Sequence, residues 1–489
     1  MLKNDTSKTI VLEENLIFKN SRTGAKGLNF PELDIPKFSL STLNSKVPLR
    51  KEKARLPEVS EPEVMRHFTR LSTWNYSIDL GIYPLGSCTM KHNPRFNEEV
   101  SRSQEICELH PYDPVEWSQA HLQIMYELKN DLQEITGMAD VSLQPSAGAQ
   151  GEFTGLLLIS AYHRSKGNNK KTIITADTSH GTNPASAALA GFKTVQINTD
   201  ADGSVSLAAI EAVLNDDVAA LMLTNPNTLG FFEKNIHKIS ELLHKNDALL
   251  YIDGANMNAV LGISRPGDYG ADVIQFNLHK TFTTPHGGGG PGSGPIAVSE
   301  KLVPFLPVPR VDKKDGLYFL DYEFKKSVGR VKSFYGNFGM FIRAWCYIRA
   351  LGSKGLREVS ENAILNANYI KSQLKDVYHI PVDGDHLHEV IFNDKNSKES
   401  GFDTSKIAKA LIDYGMHPPT VHFPLCVKNA LMIEPTETET KEEMDRFIRA
   451  MKEVLKQDAS IIYPKNVPRE KVDEVKAARE LNLNYFYTK

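Results

Sequence analysis

Asn277-Leu278-His279-Lys280-Thr281-Phe282-Thr283-Thr284-Pro285-His286 runs into Gly287 to Gly290 and then Pro291-Gly292-Ser293-Gly294. The stretch sets one lysine between an apolar strand candidate (Val273, Ile274, Phe276) and a loop with almost no side-chain bulk. Lysines are mostly solvated, but one seated against Phe282 just past an apolar strand is not placed for the surface. Desolvation favours the neutral amine, the form that attacks a carbonyl. Upstream, Leu249-Leu250-Tyr251-Ile252 ends in Asp253-Gly254-Ala255, a second strand with an acid at its carboxyl end. Such an aspartate can cap a following helix. Together, however, a strand-end aspartate and a lysine past a later strand are what holds pyridoxal phosphate. The lysine forms the Schiff base, and the acid keeps the pyridine nitrogen protonated so that the ring accepts electrons. Lys280 and Asp253 are read in those roles.

Outward from this stretch the chain alternates strand and helix. Short apolar runs at 172–176, 194–197, 219–223, 249–252, 273–276 and 296–298 predict strands, and 122–136, 153–162, 206–214 and 236–245 predict helices. That alternation predicts an α/β fold: a large domain with a mostly parallel sheet covered on both faces. In such sheets ligands collect beyond the carboxyl ends of the strands, where Asp253, Asn225 and Lys280 all fall. Helical spacing resumes at 341–351 and 356–374 around Gly352-Ser353-Lys354-Gly355. A smaller α/β region follows, with strands near 388–392 and 431–433, helices at 404–413 and 441–455, and Thr438 or Thr440 as a cap. The expected division is an N-terminal arm at 1–79, punctuated by prolines and carrying a short helix at 61–72, a cofactor-binding domain at 80–350 and a small domain at 351–489.

Several motifs carry competing readings. Gly287, Gly289 and Gly292 match G-x-G-x-x-G, but the run follows no strand directly, contains Pro291 and leads into a strand, so the dinucleotide reading fails on context. A Walker loop fails because Lys280 precedes the glycines. Bare backbone suits close approach by a cofactor or another subunit. The segment 144–152, Gln-Pro-Ser-Ala-Gly-Ala-Gln-Gly-Glu, leads small residues into a helix, as a phosphate site requires; an ordinary tightly packed helix start would look similar. His180, past a strand, is placed for a flat ring to stack on the cofactor, although lone histidines are often structural. Asn225, before Pro226, is either a donor to the cofactor's phenolic oxygen or a turn former. A metal site from His180, His279 and His286 lacks acidic or thiolate support.

Composition excludes other classes. With 57 basic against 60 acidic residues the formal charge is −3, which gives no electrostatic footprint for nucleic acid. Cys88, Cys107, Cys346 and Cys426 are scattered without metal-ligand spacing and fit a reducing compartment. The N-terminus lacks signal-peptide character, and no apolar run approaches the ~18 residues of a membrane span. A cytoplasmic protein is expected.

Six stretches in order carry a family resemblance: 83–91 (Tyr-Pro-Leu-Gly-Ser-Cys-Thr-Met-Lys), 144–152, 180–187 (His-Gly-Thr-Asn-Pro-Ala-Ser-Ala), 223–230, 253–256 and 277–295. Across 83–433 the chain resembles the P-proteins of the glycine cleavage system, in their split form. The resemblance implies fold type I of the pyridoxal-phosphate enzymes (aspartate-aminotransferase-like). It implies decarboxylation of glycine, with the aminomethyl group passed to the lipoyl arm of H-protein. It also implies a partner, subunit 1, with two copies of each chain. By motif match Lys280 is the Schiff-base lysine and Asp253 the pyridine partner. His180 and Ala255 flank the ring, Gly148 and Ala149 bind phosphate through backbone N–H, and His279 is a further phosphate candidate. Ser146-Ala147 departs from the family's Asn-Ser, leaving the phosphate to the backbone. From residue size, the loop 287–294 is expected to admit a lipoyl arm.

Overall fold

The computed structural model describes residues 14–36, 50–52, 54–286, 291–465 and 473–482 of the 489. The chain forms two compact units, Met1–Ser77 with Ile462–Lys489, and Ile78–Ile461. In the first, the helix expected near 61–72 forms at Glu61–Ser72. Glu63 in its first turn accepts the Ser60 N–H at 2.8 Å, the reciprocal bond of a capping box. Residues 1–13, 37–49 and 53 of the expected arm lie outside the described residues.

The second unit is built on seven strands: β1 (Asp140–Ser142), β2 (Thr172–Ala176), β3 (Lys193–Ile197), β4 (Val218–Thr224), β5 (Leu249–Asp253), β6 (Val273–Gln275) and β7 (Ile296–Val298). Their spatial order is β1-β7-β6-β5-β4-β2-β3. From β3 to β6 all pairs are parallel, whereas β7 runs antiparallel to both β6 and β1. The parallel strands read as continuous apolar runs because both faces are covered. Leu250 and Ile252 join Leu221 and Ile274 in one core, while Leu249 and Tyr251 join Met222 and Val273 in the other. The period-2 pleat of one short strand thus feeds two separate cores. β1 is too short and polar to show periodicity; pairing with β7 makes it a strand.

The helix Gln119–Thr136 stops at Gly137, whose φ of 67° is the left-handed cap a glycine takes without penalty. The helix Phe338–Leu374 contains a break at Gly352 (φ 61°, ψ −174°), where the sequence separates two helical stretches. One hairpin escapes the sequence reading: β8 (Arg310–Lys314) and β9 (Leu317–Asp321). Its turn residues Asp315 and Gly316 both have positive φ, and that Asp-Gly pair was the available signal.

A three-stranded antiparallel sheet follows, β10 (Val390–Asn393), β11 (Thr420–Val421) and β12 (Ala430–Ile433), in the order β10-β12-β11. The helices Thr404–Asp413 and Lys441–Val454 complete the layer. Thr440 is the cap of the latter, its hydroxyl accepting Glu443 N–H. The β10–β12 register pairs Val390 with Ile433, so Glu389 and Glu434 stand opposite one another one step beyond the ladder.

Candidate active site

Parallel strands deliver their carboxyl ends to one side of the sheet, and the site assembles there. Thr224 ends β4 and Asp253 ends β5, while Lys280 sits two residues past Leu278 in the single-turn helix Leu278–Thr281. These residues line a cavity of about 200 Å³ together with Gly148, Ala149, Glu152, His180, Ala255, His388 and Glu389. Lys280 Nζ donates to the Ser87 carbonyl at 2.7 Å. Asp253 is buried, accepting Ala255 N–H on Oδ1 at 3.0 Å and the Thr224 hydroxyl on Oδ2 at 3.3 Å. An acid fixed on both oxygens presents a defined charge to whatever occupies the cavity.

His180 and Glu152 form a connected group beside it. Glu152 accepts the Thr182 hydroxyl at 2.7 Å and the Ser186 hydroxyl at 2.8 Å, and His180 Nδ1 lies 2.8 Å from Thr182 Oγ1. Burial, reinforced by the charge of Asp253, pushes the Glu152 carboxyl up to about 7 against those hydrogen bonds. Burial pushes the His180 imidazole down, Lys280 adds to it and Asp253 opposes. A neutral, oriented ring results, suited to stacking.

The cavity is also lined by the N-terminus of the helix Gly148–Ser165. Its cap residue Ala147 has no side-chain acceptor, so the first-turn N–H groups are left for an anion. Ser146 does not substitute, since its hydroxyl donates to Gln150 Oε1 at 2.9 Å. A Cβ on Gly148 would stand 2.8 Å from Asn277 Oδ1, so glycine keeps the approach open. Uncapped helix, neutral histidine, anchored acid and lysine are the groups that would fit a phosphate, a flat ring, a ring nitrogen and an aldehyde, the parts of pyridoxal phosphate. Gly148→Ala should therefore crowd this end at a cost on the order of 1–3 kcal/mol and weaken cofactor affinity in a fluorescence titration. Unchanged affinity would place the anion elsewhere.

Two residues read from the sequence stand apart from the cavity lining. Asn225 turns inward, its Oδ1 accepting Glu233 N–H at 3.0 Å. His279 Nδ1 accepts Ser293 N–H at 3.2 Å, and its ring packs 5.1 Å from that of His286. Burial pushes His279 down to about 3 and His286 to about 4. Gly287–Gly290 lie outside the described residues. The histidine trio considered as a metal site does not converge; among the described residues the potential ligands that do are His388, Glu389 and Glu434.

Cys88, far from Lys280 along the chain, adjoins Ser87, whose carbonyl accepts Lys280 Nζ, and feels the charge of that lysine. Burial nevertheless pushes its thiol up, which keeps it protonated and a poor nucleophile. Ser87, Glu389 and Glu434 carried no role from sequence. Glu389 and Glu434 flank apolar strands, but only the strand pairing brings them together.

This fold and site define the class: fold type I of the pyridoxal-phosphate enzymes. A crystal structure of glycine decarboxylase (P-protein) of the glycine cleavage system, in inhibitor-bound form, superposes with a TM-score of 0.69 at 22% identity, covering 85% of this chain and 93% of that one. The family model for the glycine cleavage system P-protein matches residues 32–311, and that for the glycine dehydrogenase C-terminal domain matches 359–478. The chain is 52% identical over 471 residues to the probable glycine dehydrogenase (decarboxylating) subunit 2 of Caldanaerobacter subterraneus subsp. tengcongensis, covering 95% of this chain and 97% of the relative. It is 49% identical over 479 residues to the protein of the same name from Bacillus licheniformis, covering 97% and 99%. The chain belongs to the glycine cleavage system P-protein family. Among the described residues, no helix is long and apolar enough to cross a membrane.

Proposed function

We propose that this chain is the catalytic subunit of a two-chain glycine decarboxylase. It uses pyridoxal phosphate to release CO₂ from glycine and pass the aminomethyl group to the lipoyl arm of H-protein. The observation that carries the reading is the convergence of Lys280, Asp253, His180 and the uncapped helix start at Gly148 on one cavity. When bound, the cofactor supplies a conjugated ring that accepts the electron pair left by the departing carboxylate. Lys280 attaches it and moves protons at its own nitrogen. Asp253 holds the proton on the ring nitrogen, a charge fixed in place before the reaction begins. The Gly148 and Ala149 N–H groups hold the phosphate, and His180 and Ala255 enclose the ring and exclude water. The strand-end cavity is small, as a two-carbon substrate requires.

The partners follow from the same reading: a subunit 1 of the split enzyme, two copies of each chain, and lipoylated H-protein. We place the assembly in the cytoplasm, and the change from cofactor-binding to small domain near residue 350, close to the Gly352 break. Asn225 and His279 act in this reading as support for the site wall rather than as contacts lining it.

The test is reconstitution. The purified chain with pyridoxal phosphate, subunit 1 and lipoylated H-protein should exchange labelled bicarbonate into the carboxyl of glycine. Omission of subunit 1 or of the lipoyl group should reduce the exchange strongly. Exchange that ignores glycine but accepts another amino acid would overturn the substrate assignment.

A further inference from the structure

Two carboxyl groups are buried face to face, one of them, Glu389, in the cavity wall. Glu389 and Glu434, opposite each other at the end of the β10–β12 ladder, are 3% and 0% exposed. One oxygen of each lies within 4.8 Å of the other and of a ring nitrogen of His388. Two full negative charges directly opposite each other in a dry wall are unfavourable. Hydrogen bonding distinguishes the pair. Glu434 accepts Thr89 N–H at 3.2 Å and the Thr89 hydroxyl at 2.7 Å. It also accepts Asn256 Nδ2 on both oxygens, at 2.9 and 3.0 Å. The Asn256 amide is oriented independently, because its Oδ1 accepts Asn258 N–H at 2.9 Å. A carboxyl so surrounded by donors is the first of the two to ionise. Glu389 accepts Ser87 N–H at 3.0 Å on Oε2, and the carbonyl of that same Ser87 receives Lys280 Nζ.

We propose that Glu389 and Glu434 hold one proton between them, carried on Glu389, and that the single charge on Glu434 is the counter-charge that keeps Lys280 and the loop 87–89 in register. Both are positioning residues, acting on Lys280 through Ser87 and through the field. The reading of Lys280 as the cofactor's lysine gives the pair its catalytic consequence; the proton itself does not depend on that reading. The charged and titratable groups facing the pair are Lys280, Lys91 toward Glu434, Cys88 and His388. Burial holds the last two neutral, pushing the Cys88 thiol up and the His388 imidazole down to about 3.

Burial, then the charge of Glu434, pushes the Glu389 carboxyl far up, and burial pushes Glu434 up to about 7. The folded chain keeps a proton that the unfolded chain has lost. The stability this contributes is complete below the ordinary carboxylate range and falls as pH rises from there toward the raised value of Glu389. Glu389→Gln preserves shape and neutrality, so it should flatten that decline.

The experiment uses the full-length chain freed of cofactor. At neutral pH, the infrared carbonyl stretch of protonated carboxylic acids should be present in the wild type and weaker by one carboxyl in E389Q. In E434Q that carboxyl should persist, because burial, the larger cause, still holds the proton on Glu389. Acylation of Lys280 at fixed pH, followed by mass spectrometry, should be unchanged in E389Q. In E389Q/E434Q it should rise, because the amine and the loop 87–89 lose the fixed charge that holds them in register. If variants at Glu434 do not fold, E389Q alone decides through its infrared band and its flatter denaturation midpoint between about pH 5 and 8. An acid band of wild-type strength in E389Q, or a double variant acylated at the wild-type rate, would overturn the proposal. So would a divalent metal that co-purifies with the wild type and is absent from E389Q. Because no step requires bound cofactor or glycine, loss of turnover with these signatures intact would count against the proposed reaction instead.

Discussion

Lys280→Ala is expected to leave a folded protein that no longer retains its cofactor covalently and no longer exchanges bicarbonate into glycine. Structurally the change is mild. The side chain is half-buried and donates one hydrogen bond, to Ser87 O, from a helix of a single turn. Loss of such a charged bond costs on the order of 1.5–3 kcal/mol. Chemically the change is severe. The variant lacks both the nucleophile for the cofactor aldehyde and the group that moves protons above the ring. A positioned proton-transfer group alone contributes ~10²–10⁴-fold in rate. The measurements are the visible absorbance of the lysine-bound cofactor and the peptide labelled by borohydride. Lys280→Arg should fail equally, since a guanidinium stays charged and does not attack carbonyls. Borohydride labelling of a different lysine in the wild type would refute the assignment.

Asp253→Asn should retain cofactor and lose rate. The amide oxygen can still accept Ala255 N–H, and Thr224 can reorient its hydroxyl, so the strand end keeps its shape. The phosphate end of the site, at Gly148, is untouched. What disappears is the negative charge beside the ring nitrogen, and removal of one such preorganised contribution costs on the order of 10²–10³ in kcat. A second signature accompanies it. The Asp253 charge helps hold the Glu152 carboxyl at about 7, so in the variant Glu152 should ionise at lower pH. A pH series of the cofactor spectrum would register both changes, and near-wild-type turnover would show that another group protonates the ring.

Much of this was legible in the residues. Apolar runs such as 249–252 became strands because burial on both faces leaves no other use for four consecutive large side chains. Lys280 and Asp253 were legible because each ends such a run. The Asp315-Gly316 hairpin was missed although its turn pair was in view, and β1 offered no periodicity to find. Asn225 was read as a cofactor donor or a turn former, and His279 as a phosphate candidate by motif match. In the structure Asn225 Oδ1 accepts Glu233 N–H and His279 Nδ1 accepts Ser293 N–H, partners that sequence does not give because it fixes a residue's place on a strand end but not its rotamer.

By itself the sequence determined which segments become buried strands, which aspartate ends one of them and which lysine follows another. Those properties are local, written in hydrophobic period and in the identity of single residues. Tertiary structure alone decided that Ser87 meets Lys280, that Cys88 lies close by, and that Glu389 and Glu434 face each other. Such pairings depend on strand register and on loops brought together from distant parts of the chain, and a shift of one residue would turn each side chain to the other face.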